Sequence, residues 1–309
     1  MSKARVVCIG IATLDAIALV DRLPEGGERL PARTALLAGG GVAATAAVAL
    51  ARLGIPVAFV GRVGNDAAGG SIREGLAAAG VDVNGLRTVP GRSPVTIVLV
   101  EAASGERTLI PDVRGVPPID LATADLDRCA AADWLHVDQT GYPVLSGIRA
   151  AGIGTPVSLD GGNFVDELDL ATIDLYAPTE RALRARHPDG SLEDALEHAV
   201  DAGPRLVVAT RGILGSVAAE RSARAAHPRI THVPAASLEA PPVSTLGAGD
   251  VFHGALLAAL LDDRGVPDAL RWANGAAALS CRSLDGRGAI PDRAELEAFL
   301  ERQPPGGES

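Results

Sequence analysis

Lysine is nearly missing from this chain: Lys3 is the only one in 309 residues. A Walker A loop needs a lysine on its phosphates, a protein kinase needs one on a strand, and a Schiff-base enzyme needs a buried amine. A single lysine two places from the N-terminal methionine suits none of these roles. Cysteine is also sparse. Cys8, Cys129 and Cys281 are scattered with no CxxC pair, which excludes a disulfide framework and fits a reducing compartment, the cytoplasm. Basic charge is short, with 28 Lys+Arg against 38 Asp+Glu and a net charge of -10. A nucleic-acid partner wants the opposite balance. Aromatic residues make up only 3% of the chain. The longest uncharged run, Thr34 to Ala51, is flanked by Arg33 and Arg52 and dominated by Ala and Gly. It reads as a buried helix behind a glycine loop rather than a membrane span. The opening "MSKARVVCIG" enters a strand-like run with no signal-peptide pattern.

What is present is alternation. With 47% hydrophobic residues the chain can bury a substantial core. The apolar runs "RVVCIGI", "PVAFVG", "WLHVD", "PVSLD" and "RLVVAT" are separated by Ala/Leu/Glu/Arg stretches of helical length. Short buried strands between helices predict a mostly parallel sheet covered on both faces. Two segments break the pattern. About 14–37 holds two extended runs around "PEGGERLP", and about 93–110 reads as a hairpin turning at Ser104-Gly105. With no helix beside them, they could form a small separate sheet, either a lid or a decorative edge. The rest of 1–302 reads as one domain, and 303–309, "QPPGGES", as a disordered tail.

Two glycine loops carry the chemistry. In "VSTLGAGDVFHGALLAALL" a helix is predicted from near Ala248, ended by Asp262-Asp263. The first N–H groups of a helix lack partners and carry partial positive charge, so the start is suited to phosphate oxygens. Gly247 and Gly249 let the backbone bend and a ligand approach. Asp250, in the first turn, could accept a proton from an attacking hydroxyl while the N–H groups stabilise the transferred charge; from this stretch alone, capping its own helix is the commoner role of such an Asp. His253 falls on the same face, as a ligand contact or a packed histidine. Gly254, inside the helix, predicts a close packing contact. In the second loop, "AGGGVAATAAVALARLG", Gly39, Gly41 and Ala44 imitate the GxGxxA dinucleotide fingerprint. A true fingerprint follows the first strand, with an acidic residue ending the second. Here the next strand, "PVAFVG", is followed by Arg62. A neutral ligand held by the backbone of Gly40-Gly41 suits the loop better.

"STLGAGDVFHGAL" resembles the C-terminal signature of the PfkB/ribokinase family of sugar and nucleoside kinases, and "GGGVAATAAVALARLG" through "GRVGNDAAGGSIREGLAAAGVDV" resembles its N-terminal one. "IGIATLDAIALVDRLPEGGE" and "VVATRGILGS" resemble that family's opening strand with lid entry and its nucleotide-side strand and turn. The resemblance covers nearly the whole chain in order. It implies a three-layer ribokinase-like α/β fold with a β-sheet lid, ATP with Mg²⁺, and phosphoryl transfer to a hydroxymethyl group. It makes Asp250 the base and the N–H groups of Ala248, Gly249 and Asp250, turned by Gly247, the anion hole. Asp15, Gly40 and Gly41 would hold substrate hydroxyls. Thr210, Gly212 and Gly215 would lie along the nucleotide, with Asn274 near its adenine. Asp160 and Asn163 would face the phosphates and Mg²⁺, and no side chain is assigned as a direct metal ligand. A homodimer through the lid is expected.

Three positions depart from the family pattern. Ser244 replaces an Asp linked to a monovalent-cation site, which puts K⁺ in doubt. Thr45 stands where many sugar kinases have a substrate-binding Asn. "APTERAL", from Ala177 to Leu183, lacks the usual Asn-x-x-Glu. The triple glycine, "GAGDVFHGAL" and "GRGAIPD" look closest to a ketohexokinase-like branch that includes sulfofructose kinases. An anionic substrate head would call on Arg29 and Arg107, which otherwise form a solvated lid face. A nucleoside kinase, disfavoured by the scarce aromatics, and a non-catalytic sugar-binding regulator stay open beside the sugar kinase.

Overall fold

The computed structural model describes residues 3–221 and 227–303. Of the expected tail, 304–309 lies outside the described residues. The strands are β1 (Val6–Ile9), β2 (Thr13–Val20), β3 (Thr34–Gly40), β4 (Val57–Gly64), β5 (Asp82–Val89), β6 (Val95–Glu101), β7 (Arg107–Asp112), β8 (Trp134–Val137), β9 (Val157–Asp160), β10 (Leu175–Ala177), β11 (Leu206–Thr210), β12 (Ser216–Glu220) and β13 (Arg229–Val233). The helices are α1 (Val42–Arg52), α2 (Ala67–Ala78), α3 (Thr123–Ala131), α4 (Leu145–Ala150), α5 (Glu180–Arg186), α6 (Leu192–Asp201), α7 (Ala248–Leu261), α8 (Val266–Ser280) and α9 (Arg293–Glu301).

Successive side chains of a strand point to opposite faces, and both faces of the large sheet are apolar. Val6 and Cys8 of β1 join one core with α1, α2, α7, α8 and α9; Val7 and Ile9 join a second with α3, α4, α5 and α6. β10 and β11 divide in the same way, Leu175 and Leu206 to the first core and Tyr176 and Val207 to the second. This produces three layers, helices on both sides of a nine-stranded sheet of order β13-β12-β11-β10-β9-β8-β1-β4-β5. Its pairs are parallel except β11–β12 and β12–β13. Strands β5, β10, β12 and β13 were not among the runs legible in the sequence; β10 is only three residues long and β13 is largely polar.

The two segments that break the alternation pair into a separate sheet of order β3-β2-β6-β7. Between β6 and β7 the chain turns at Gly105, whose φ of 69° is left-handed. One face of this sheet carries Ile17, Val98 and Val100, which pack on Leu246 and Leu284 from the main body. The glycines of the second loop end β3, in the small sheet, rather than the first strand of the large one, and so cannot form a dinucleotide unit. Among the described residues, no helix is long and apolar enough to cross a membrane.

Candidate active site

Ligands of parallel α/β sheets gather at the C-terminal ends of the strands. Here Asp138 follows β8, Asp160 ends β9, Glu180 follows β10 and Thr210 ends β11. Beside them α7 begins. Its N-cap is Gly247 at φ 72°, and a Cβ there would crowd Gly286 at 2.9 Å. Ala248 N–H donates to the Thr245 carbonyl at 3.3 Å, and Val251 N–H to the Gly247 carbonyl at 2.9 Å. That leaves the N–H groups of Gly249 and Asp250 without a backbone partner among the described residues. Of the three donors expected to form an anion hole, the Ala248 N–H is taken up by a turn. Gly249 is exposed, with no atom within 4 Å of the position its Cβ would take, so a ligand can approach it.

Asp250 does not cap α7: that place belongs to Gly247, and no side-chain cap bond is made. Its carboxyl is raised well above the ordinary carboxylate range by desolvation and by the charges of Asp160 and Asp138, with Arg287 and Arg107 pulling the other way. Desolvation likewise raises Asp160, whose Oδ1 accepts Gly162 N–H at 2.8 Å. His253 is not at the ligand surface. It is 4% exposed, its Nε2 3.6 Å from Asp160 Oδ2. His136 lies beside it at a ring separation of 5.9 Å. Burial pushes both imidazoles down to about 3, so both are neutral.

Asp138 was not singled out from the sequence, although "WLHVD" ends an apolar strand in a carboxylate. Fully buried, it accepts four backbone N–H groups: Ile11 at 2.8 Å and Ala43 at 3.2 Å on Oδ2, Thr140 at 2.8 Å and Gly141 at 2.9 Å on Oδ1. Burial still pushes it up to about 6. Asp138 thus ties the ends of β1 and β8 to the start of α1. Gly10 has to be glycine because a Cβ would overlap this carboxylate.

On the side expected to hold the acceptor, Gly41 at φ 94° caps α1, and a Cβ there would strike the Ile11 carbonyl at 2.5 Å. Asp15, 6% exposed, accepts the Thr13 hydroxyl at 2.6 Å. A Cβ on Gly40 would collide with Asp15, so the glycine lets the strand lie against that carboxylate. Thr45, 1% exposed, does not open freely into the cleft; its Oγ1 accepts Arg287 Nε at 3.2 Å, and Arg287 Nη2 donates to the Gly40 carbonyl at 2.5 Å. Arg287 lies in "GRGAIPD", but no role was legible for it there because its loop is 242 residues from Thr45. Of the two small-sheet arginines, Arg107 reaches Thr245 Oγ1 at 2.5 Å, in the loop that leads into α7. Arg29 sits in the exposed turn between β2 and β3, with no hydrogen bond or ion pair among the described residues.

On the side expected to hold the nucleotide, Thr210 leads into a turn with Gly212 at φ 56° and Gly215 at φ 89°. Between these glycines Ile213 is 94% exposed. Asn274 holds the carbonyls of Val233 (3.3 Å) and Pro234 (3.1 Å), so its NH₂ braces the adjoining loop. Asn163 is exposed and touches Gln139 at 3.4 Å. "APTERAL" departs from the family motif less than expected: only its Asn is lost, to the buried Ala177. Glu180 keeps the fourth position, accepting Arg184 and Arg211 at 3.0 Å each. Ser244 is buried, and its Oγ accepts Leu246 N–H at 3.1 Å, bracing the anion loop.

The layered sheet, the separate small sheet and the carboxylates gathered at the strand ends define a ribokinase-like α/β enzyme. A family model described as pfkB family carbohydrate kinase matches residues 3–293. The chain is 30% identical to an ATP-dependent ribose-1-phosphate kinase from Halopiger xanaduensis, over 97% of this chain and 99% of that one. It is 32% identical to a fructokinase from Klebsiella pneumoniae, over 92% and 97%. Among solved structures, the ribokinase of Arabidopsis thaliana complexed with ribose and ATP matches with a TM-score of 0.78 at 27% identity, covering 97% of this chain and 99% of that one. The chain belongs to the pfkB family of carbohydrate kinases.

Proposed function

We propose that this ATP-dependent sugar kinase transfers the γ-phosphoryl group to a hydroxymethyl group of a ketose or related sugar, with Asp250 as general base. The observation that carries this reading is a carboxylate without a hydrogen-bond partner among the described residues, in the same helical turn as two N–H groups without backbone partners. A hydroxyl placed there loses its proton to Asp250 as it attacks, while the N–H groups of Gly249 and Asp250 stabilise the charge in transfer. Phosphoryl transfer has a loose transition state, so positioning and electrostatics supply most of the acceleration, and no lysine is required.

Asp15 and the backbone at Gly40–Gly41 orient the sugar hydroxyls. The turn from Gly212 to Gly215 receives the nucleotide, with Ile213 as an apolar surface for the base. Mg²⁺ fits the phosphate side: Asp160 and Asp250 repel each other, a cation relieves that, and Mg²⁺ takes one or two carboxylates plus substrate phosphates rather than a protein cage. When bound, it neutralises charge on the phosphates. Arg107, on the small sheet, closes the cleft as a lid residue over the anion loop and excludes water.

A coupled ADP-release assay over a panel of sugars and nucleosides tests the proposal. Turnover of sugars is expected. Turnover of nucleosides alone would replace the sugar reading, and saturable sugar binding without turnover would make the protein a binding module. Because Ser244 offers a hydroxyl bonded to Leu246 where a carboxylate is expected, rates in Na⁺ and K⁺ buffers should be nearly equal. Many-fold K⁺ stimulation would show that carbonyl oxygens suffice for the cation.

A further inference from the structure

Arg287 makes no ion pair among the described residues, yet its charge lies amid polar groups of the acceptor loop. Three features hold it there. Gly286 packs against Gly247, which brings the 285–288 turn beside the anion loop. Asp285 Oδ1 accepts the N–H groups of Arg287 (2.8 Å) and Gly288 (2.6 Å), fixing that turn. Gly39 lacks the Cβ that would overlap Nη1. The guanidinium is then oriented by Thr45 Oγ1 and the Gly40 carbonyl, one bond on Nε and one on Nη2. A guanidinium has five N–H donors, so three remain without a partner among the described residues. Thr45 takes part in this arrangement: its hydroxyl, at the position where an amide is expected, accepts from Nε. The arrangement is strained electrostatically. Burial pulls Arg287 down to about 10, with Asp15, Asp250 and Asp285 opposing that from beyond ion-pair distance.

We infer that Arg287 is the specificity-determining residue of the acceptor site and selects a sugar that already carries a phosphate group. The inference rests on the sugar-kinase reading and names the substrate class for the same cleft. A partly buried cation without an ion pair is unfavourable in the empty site and favourable once an anion accepts its unused donors. A planar fork of donors suits a phosphate's oxygens better than a single hydroxyl. The relative named a ribose-1-phosphate kinase acts, by its name, on an acceptor of this kind.

Ribose and ribose 1-phosphate, with fructose and fructose 1-phosphate as a second pair, distinguish the outcomes. Steady-state kcat/KM and calorimetric binding without nucleotide are measured on wild type, Arg287→Met, Arg287→Lys and Thr45→Val. Wild type is expected to favour the phosphorylated member of a pair. Arg287→Met should cut that preference by about 10²-fold, the usual size of a lost buried charge contact. Arg287→Lys should restore part of it, and Thr45→Val should weaken it in the same direction. If wild type binds and turns over the unphosphorylated sugars better, the inference fails and the sugar-kinase reading stands. If Arg287→Met lowers both members of a pair equally, Arg287 is only a strut of the acceptor loop. If no sugar or sugar phosphate either binds or releases ADP, both readings fail together.

Discussion

A carboxyl group crowded by others behaves differently from one in water, and Asp250 is the residue where this matters most. Asp250→Asn removes the proposed proton acceptor and should lower kcat by on the order of 10²–10⁴ while leaving ATP binding nearly intact. Retention of more than about a tenth of the wild-type rate would remove the base assignment. Because desolvation and the Asp160 charge raise the folded-state pKa of Asp250, its contribution to stability is present at low pH and is lost as pH rises through that folded value. The melting temperature of Asp250→Asn should therefore gain on wild type as pH increases, which calorimetry from pH 4 to 8 reads directly. A constant difference would mean that the site does not raise this pKa. Asp138 differs in kind, since its oxygens satisfy four backbone donors. Asp138→Ala leaves those donors unpaired and should lower the unfolding free energy by about 3–5 kcal/mol. A loss below about 1 kcal/mol by denaturant titration would show that water takes over the role.

Elements bring these residues together through one close crossing. Helix α1 starts at the acceptor loop and α7 at the anion loop, and they cross where Gly254 faces α1. A Cβ on Gly254 would lie 2.5 Å from the Ala46 carbonyl and 2.8 Å from Ala49 Cβ. The interior glycine thus sets how near the two loops stand. Gly254→Val should cost about 1–3 kcal/mol by overpacking and raise the sugar KM more than the ATP KM, because α1 carries Thr45 and is capped by Gly41. Equal effects on both would place the strain elsewhere. The glycine's meaning was legible in advance, because an unsupported glycine in an apolar helix calls for close packing. Its partner was not, since nothing in "VFHGAL" points to Ala46, two hundred residues upstream.

At the scale of the whole molecule, the small sheet has an uncovered side. Ala16 pairs with Leu37 and Ile97, and Ile97 with Ile110, so these residues form one row across four strands. In that row Leu37 is 70% exposed, Ile97 50% and Ile110 55%. An apolar row of this kind beside open strand edges suits a second copy of the chain, packed by two-fold symmetry. Analytical ultracentrifugation should find a dimer for the wild type and a monomer for Ile97→Glu. A monomeric wild type would end the dimer proposal.

Local chemistry written along the chain determined the strand–helix alternation, the two glycine loops and the carboxylate in the first turn of α7 at position 250, because hydrophobic period and helix-terminus chemistry act over a few residues. Tertiary structure alone decided that Asp138 ties three elements, that His253 is packed beneath the site, and that Arg287 meets Thr45. These depend on which distant segments share a sheet end, and burial and charge act through space between residues the chain keeps far apart.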